Sequence, residues 1–236
     1  MVVQPKVIQK NKVLVVAPHA DDEVLGAGGT IARLVSEGAT VHVAIMTGHG
    51  DTSHPIWPAH MWEAIRAECR QAASILGVQE LIFKNLPAAC LDQHPAWKIN
   101  KMVDELIEEI EPNEIYVPFA HDMHLDHASI AYAVSVSTRP YLSRARNVQR
   151  VLAYETLSET HLRGPYLVPA FMPQVYVDIS KFLDIKLAAM QAYTSQLQAD
   201  GQPRSLRSIR AQAELRGAHI GCEAAEAFVL LGEYKR

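Results

Sequence analysis

The chain is poor in cysteine, has no excess of positive charge and contains no long apolar run. Its three cysteines, Cys69, Cys90 and Cys222, are odd in number, far apart and in no C-x-x-C pair. They read as free, reduced thiols in a cytoplasmic protein, Cys69 and Cys90 as inert buried ones. With 22 Lys and Arg against 26 Asp and Glu the formal charge is −4, so the electrostatic footprint of a nucleic-acid binder is missing. No apolar stretch approaches the roughly 18–20 residues needed to cross a bilayer, and no integral membrane segment is expected. The opening MVVQPKVIQKNK has neither the apolar core nor the small-residue cleavage site of a signal peptide, so secretion is not expected.

What is present suits one α/β domain over residues 1–236, since 49% of the residues are apolar and 20% charged. Short runs rich in β-branched residues predict strands at 13–17, 41–46, 80–83, 115–118, 150–154, 175–179 and 228–231. Amphipathic segments predict helices at 24–37, 60–76, 97–111, 126–138, 181–198 and 204–217. In the third helix Trp97, Ile99, Met102, Val103, Leu106, Ile107 and Ile110 form the apolar stripe, and Pro112 ends it. Alternating strands and helices imply a Rossmann-like, doubly wound and mainly parallel sheet with helices on both faces. The less regular stretch from 155 onward is a C-terminal elaboration.

Two clusters of chemistry-bearing residues stand out. Directly after the apolar run Val13–Ala17 comes PHADDE, which crowds His19, Asp21, Asp22 and Glu23 at one strand end. Unpaired buried carboxylates are costly, and a cation is the natural way to stabilise them. The second cluster, HDMHLDH at residues 121–127, also follows a strand and leads into a helix. In a doubly wound sheet the first and fourth strands are neighbours at the switch point, so the two clusters should meet. Two histidines and an aspartate with open positions suit catalytic Zn²⁺, and the same triad suits Fe²⁺. A further carboxylate could then activate water, and a histidine could stabilise an oxyanion or protonate an amine. This is the outfit of a metal-assisted hydrolase acting on an amide.

PHADDE and HLDH, in this order, resemble the paired signatures of the PIG-L/LmbE-like zinc-dependent N-acetyl-sugar deacetylases. LGAGGTIARLVSEG resembles the family's first helix and RAECRQAASILGV its second, while KLAAMQAYTSQ and AEAF resemble its C-terminal landmarks. The resemblance implies that His19, Asp22 and His127 bind zinc and that Asp21 is the general base. It implies that His124 stabilises the tetrahedral intermediate, with Asp126 orienting His124 and raising its pKa. It further implies a Rossmann-like fold, a small-molecule N-acetyl-sugar substrate of N-acetylglucosamine type, and a homo-oligomer, trimeric or hexameric. The chain departs from the pattern at Tyr193, where the family usually has His. It departs again at Ile65, three residues before Glu68, where the family often has Arg; Arg66 lies one place off.

Other readings compete. The same site could cut a different amide, such as that of a thiol-sugar conjugate, or serve an Fe²⁺ oxygenase. From another class, the glycines of GAGGT (Gly26, Gly28, Gly29) could mark a non-catalytic nucleotide-binding module. They lack G-x-G-x-x-G spacing, and close helix–sheet packing is the favoured reading. His121 and Asp122 divide between support of a metal ligand and a plain polar loop. Trp57 and Trp62 divide between sugar stacking and a subunit contact. Arg204, Arg207 and Arg210 read as a solvated helix face ahead of a phosphate site. Specificity is assigned to loops 47–62, 84–97 and 156–174.

Overall fold

The computed structural model describes residues 11–51 and 54–236. Most of the opening segment read above for a signal peptide, and Thr52 and Ser53 of the first specificity loop, lie outside the described residues. In chain order the elements are β1 (Lys12–Ala17), α1 (Asp22–Ser36), β2 (Thr40–Gly48), α2 (Ala59–Leu76), β3 (Glu80–Pro87), α3 (Ala96–Ile110), β4 (Glu114–Pro118), α4 (Leu125–Ser137), β5 (Arg150–Tyr154), β6 (Val175–Asp178), α5 (Leu183–Ala192), α6 (Leu206–Ala218) and β7 (Ala225–Glu233).

One sheet runs β3-β2-β1-β4-β5-β7-β6. The five strands β1 to β5 pair in parallel, and β7 is antiparallel to both β5 and β6. The expected Rossmann-like, mainly parallel architecture is what forms, and the elaboration after β5 closes the sheet with an antiparallel pair.

Strand alternation explains why both faces are covered. On β1, Val13, Val15 and Ala17 enter one core with α1, α2, α5 and α6. Leu14 and Val16 enter the other, with α3 and α4. Successive side chains of a strand point to opposite faces, so a wholly apolar strand needs two partners. The chain changes faces between β3 and β4, and the switch point falls between β1 and β4.

Two helices depart from expectation, one in its bounds and one in the burial of a single residue. The segment 181–198 is helical only over Leu183–Ala192. Beyond it Glu68 of α2 draws the chain away, accepting from Thr194 Oγ1 at 2.6 Å, Ser195 N at 2.9 Å and Ser195 Oγ at 2.6 Å. Hydrogen bonds of this kind compete with helix continuation. In α3, Ile99, Val103, Leu106, Ile107 and Ile110 are buried as expected, but Trp97, in the first turn, is 64% exposed. Cys90 is half-buried where a buried thiol was expected.

The glycines of α1 serve packing. A Cβ on Gly26 would collide with the Tyr154 ring, and one on Gly29 would lie 2.6 Å from Ile179. Side chains occupy the space a nucleotide would need, and the nucleotide-module reading of GAGGT is set aside.

Candidate metal and catalytic site

β1 and β4 pair side by side, and the segments leaving their carboxyl ends bring the two clusters together. Asp22 Oδ2 is the hub. It accepts from the His19 backbone N–H at 2.9 Å, lies 3.1 Å from His19 Nδ1 and lies 3.2 Å from His127 Nε2. On its far side His127 Nδ1 is 2.7 Å from Asp122 Oδ2. That bond directs the Nδ1 proton at Asp122 and turns Nε2 toward Asp22, the arrangement that orients a metal-ligating histidine. His127 is fully buried, and its Nε2 has no hydrogen-bond partner of good geometry among the described residues. Asp122, which the sequence left undecided, is thereby the group that orients His127.

The donor set fits a divalent cation. Single ligand atoms from His19, Asp22 and His127 lie within 4.8 Å of one another. His19, His124 and Asp126 form a second such set, but the Asp126 carboxylate is already committed. Its Oδ2 accepts from Ala89 N at 2.6 Å and meets His19 Nε2 at 3.0 Å, and its Oδ1 accepts from Leu91 N at 3.0 Å. The first set is the better one, since the one amide that Asp22 accepts from belongs to His19, itself a member of the set, and the Nε2 of His127 has no hydrogen-bond partner among the described residues.

Electrostatics point the same way. Burial works against charge on His19, but hydrogen bonds to Asp126 and Asp22 hold its pKa up at about 9. Burial likewise opposes charge on His127, and the charge of Asp22 with the bond to Asp122 holds it at about 10. Asp22 is pushed up by burial yet held far below the carboxylate range by His127 and His19. This pocket of anions recruits positive charge from whatever can supply it.

Asp21 stands apart from that set. It caps α1 in a left-handed conformation, φ 118°, and its side chain does not cap the helix. Such a φ is strained for a non-glycine residue, of the order of 1–3 kcal/mol. Glu23 Oε2 accepts from the Asp21 N–H at 3.1 Å, and Tyr193 Oη donates to Glu23 Oε1. Burial, and then the neighbouring charge of Asp22, push the Asp21 carboxyl well above its ordinary pKa. Tyr193, where the resemblance led one to look for a histidine, therefore works behind the site through Glu23.

His124 differs from expectation. The Asp126 carboxylate bonds His19 and two amides, not the His124 ring. Instead the Asp126 backbone N–H donates to His124 Nδ1 at 3.2 Å. Burial, followed by the charge on His19, lowers His124 to about pKa 4 where a raised value was expected. A neutral ring that accepts at Nδ1 carries its proton on Nε2. His124 is thus a neutral N–H donor rather than an imidazolium.

These residues floor a pocket of about 300 Å³. Each specificity loop contributes to its walls: Trp57 from the first, Ala88 and Ala89 from the second, Ser158 and Glu159 from the third; Met61, Trp62 and Ile65 of α2 join them. Burial raises the Glu159 carboxyl above its usual pKa. His54 sets the position of Trp57, accepting from Trp57 N at 3.2 Å through Nδ1 while its Nε2 donates to the Ala88 carbonyl at 2.8 Å. Trp57 and Trp62 meet edge to face at 6.1 Å. The sequence missed one wall, made of Gln196 and Arg204 from the α5–α6 connection. Of the three arginines, Arg210 pairs with Asp184 at 3.0 Å and Arg207 is exposed, as a solvated face requires. His121 packs against Phe119 outside the cluster, and Arg66 lies over Phe83, away from the pocket.

A Rossmann-like sheet with a two-histidine, one-aspartate cluster at its switch point defines a protein able to hold a metal beside a buried carboxylate. The chain belongs to the PIG-L family, described as GlcNAc-PI de-N-acetylase, whose model matches residues 14–137. It is 26% identical over 196 residues to the uncharacterised deacetylase YaiS of Escherichia coli K12, covering 79% of this chain and 92% of that one. It is 28% identical over 193 residues to a probable N-acetyl-α-D-glucosaminyl L-malate deacetylase 2 of Bacillus cereus, covering 79% and 84%. Among solved structures, the conserved protein TT1542 of Thermus thermophilus matches with a TM-score of 0.74 at 26% identity, over 95% of this chain and 96% of that one. The fold alone is shared with a 4-carboxy-2-hydroxymuconate hydratase of Pseudomonas putida, TM-score 0.71 at 19% identity, over 96% and 98%. Fold therefore does not decide the reaction, and the site must. Among the described residues no helix is long and apolar enough to cross a membrane.

Proposed function

We propose that the protein is a zinc-dependent hydrolase that removes the acetyl group from an N-acetylated amino sugar or sugar conjugate of N-acetylglucosamine type, releasing acetate and a free amine. The observation that carries this reading is Asp21: a buried carboxyl of raised pKa, beside the metal set but outside it, facing the pocket. A hydrolase needs a base so placed, whereas a metal-binding module does not. The activities named for the family and for its relatives support the same reading.

His19, Asp22 and His127 would hold the ion. When bound, zinc supplies a Lewis acid for the acetyl carbonyl and lowers the pKa of water toward 7. Asp21 takes a proton from the attacking water as the oxygen–carbon bond forms. The N–H at His124 Nε2 donates to the developing oxyanion, a role that a neutral imidazole fills without moving a proton. As the carbon–nitrogen bond breaks, the proton held on Asp21 passes to the departing amine. The raised pKa of Asp21 suits both halves, since it makes the carboxylate a stronger base and lets the acid persist until the amine needs it. Trp57 and Trp62 offer apolar faces to the sugar ring.

Metal content by elemental analysis, on the wild type and on Asp22→Ala, tests the ligand set, paired with acetate release from a panel of N-acetylglucosamine derivatives. About one zinc per chain, lost in the variant together with acetate release, is the expected result. Metal-free wild type that gains nothing from added zinc overturns the reading.

A further inference from the structure

The pocket wall that the sequence did not reveal carries a charge the reaction above does not use. Among the residues lining the pocket, Arg204 is the lone Arg or Lys. Its guanidinium donates no hydrogen bond among the described residues, and its Nε is buried without a partner. Its nearest anion is Asp21, with Nη1 3.5 Å from Oδ2. That single long contact, on a side chain 30% exposed, leaves the terminal guanidinium donors open to an oxyanion. A buried donor without a partner costs stability unless something else uses it.

The backbone that presents Arg204 is firmly held. Glu68 anchors the connection at Thr194 and Ser195. Further on, Gln198 N donates to the Arg204 carbonyl at 3.3 Å, and Gln198 Oε1 accepts from Arg204 N at 3.0 Å. Ser205 then caps α6, its side chain accepting from Ser208 N. Three successive ties fix the backbone that carries Arg204, which lowers the ordering cost of binding. The same pocket has apolar lining from Trp57, Met61, Trp62 and Ile65.

We propose that Arg204 is a specificity-determining residue that receives an anionic group, a carboxylate or a phosphate, carried on the substrate beyond the acetylated ring. This rests on the deacetylase reading and narrows it: the sugar lies along the tryptophan side with its acetamide over the metal set, and the anion of its substituent meets the guanidinium. Asp21 meets only Nη1 of Arg204, so a ligand anion joins an ion pair that Asp21 completes only at one end.

The test compares conjugates that differ in charge: methyl N-acetylglucosaminide, N-acetylglucosaminyl malate for the carboxylate arm and N-acetylglucosamine 1-phosphate for the phosphate arm. With zinc-loaded wild type, kcat/KM for an anionic conjugate should exceed that for the methyl glycoside by about 10- to 100-fold, the range of a charge-assisted hydrogen bond. The arm with the larger ratio identifies the anion. In Arg204→Gln the ratio should collapse toward one, mainly through KM, and in Arg204→Lys it should recover in part. Wild type without charge preference overturns the proposal. An equal fall on charged and neutral conjugates with the ratio preserved also overturns it, since Arg204 would then act only on Asp21. Calorimetric binding of the same conjugates separates the two levels of inference. Arg204-dependent binding of the anionic conjugate without acetate release would sink the deacetylase reading and leave the anion site standing.

Discussion

Two clusters of buried charge flank helix α1, and they are built on opposite principles. Behind the helix, Lys186 and Glu226 pair at 2.6 Å with side chains 3% and 4% exposed. Lys186 also donates to the Leu25 carbonyl, and Glu226 accepts from Gly29 N and Thr30 N. Nearby, Arg216 grips Glu155 with two bonds of 2.7 Å, and His161 adds a third. Each charge there meets its opposite inside the protein. At the head of the helix Asp21, Asp22, Asp122 and Asp126 crowd around the imidazoles of His19 and His127, and among the described residues His127 Nε2 and Asp21 Oδ2 have no hydrogen-bond partners. A closed network serves the fold; an open one, at a pocket, is addressed to something outside the chain.

The difference can be broken from either side. The largest effect should come from Asp21→Asn, which keeps size and tolerates the left-handed backbone. Acetate release should fall about 10²- to 10⁴-fold, as for loss of a general base, with zinc content unchanged. Unfolding of the metal-free variant in urea should show no loss of stability, because burial and the charge of Asp22 oppose the Asp21 carboxylate more than its one long contact with Arg204 supports it. Lys186→Met should do the reverse. It leaves Glu226 charged and buried, at a cost of about 3–5 kcal/mol in unfolding free energy, and the Lys186→Met/Glu226→Gln pair should recover part of that loss.

The smallest effect sharpens the closed cluster through pH. Burial pushes Glu155 up, but His161 and Arg216 outweigh it and hold the carboxyl below its ordinary value of 4.5. A depressed acid contributes stability above its unfolded pKa and loses it as pH falls through the folded value. Glu155→Gln should therefore be less stable than wild type at pH 7, by about 1–3 kcal/mol for a lost charge-assisted bond. The gap should narrow below pH 4.5, as read from urea unfolding across that range.

The central strands, the helices between them and the meeting of the two clusters were legible because each depends on local pattern or on the parallel-sheet switch point. His19, Asp22 and His127 fall together for that reason. What the sequence hid depends on contacts between distant segments. Glu68 ends α5 early from 126 residues away in sequence, and no periodicity in 181–198 announces it. Arg204 sits three residues before Arg207 in a run that looks like one exposed face, yet it lies ahead of the cap Ser205 and so turns inward. The roles of Asp122 and Asp126 were hidden in the same way, since the motif shows two acids but not which ring or amide each one meets.

Asp126 binds the amides of Ala89 and Leu91, and amides belong to every residue type except proline. The loop after β3 is therefore tied through its backbone at 89 and 91, between the buried side chains of Ala88 and Leu91, and an insertion between 89 and 91 would throw one amide out of reach. Because the same carboxylate steadies His19, that change in loop length would also disturb the candidate metal set. This stretch is therefore constrained in length, and Ala89, which lines the pocket, is the position where a small change of side chain would alter the wall while the Asp126 ties stay in place.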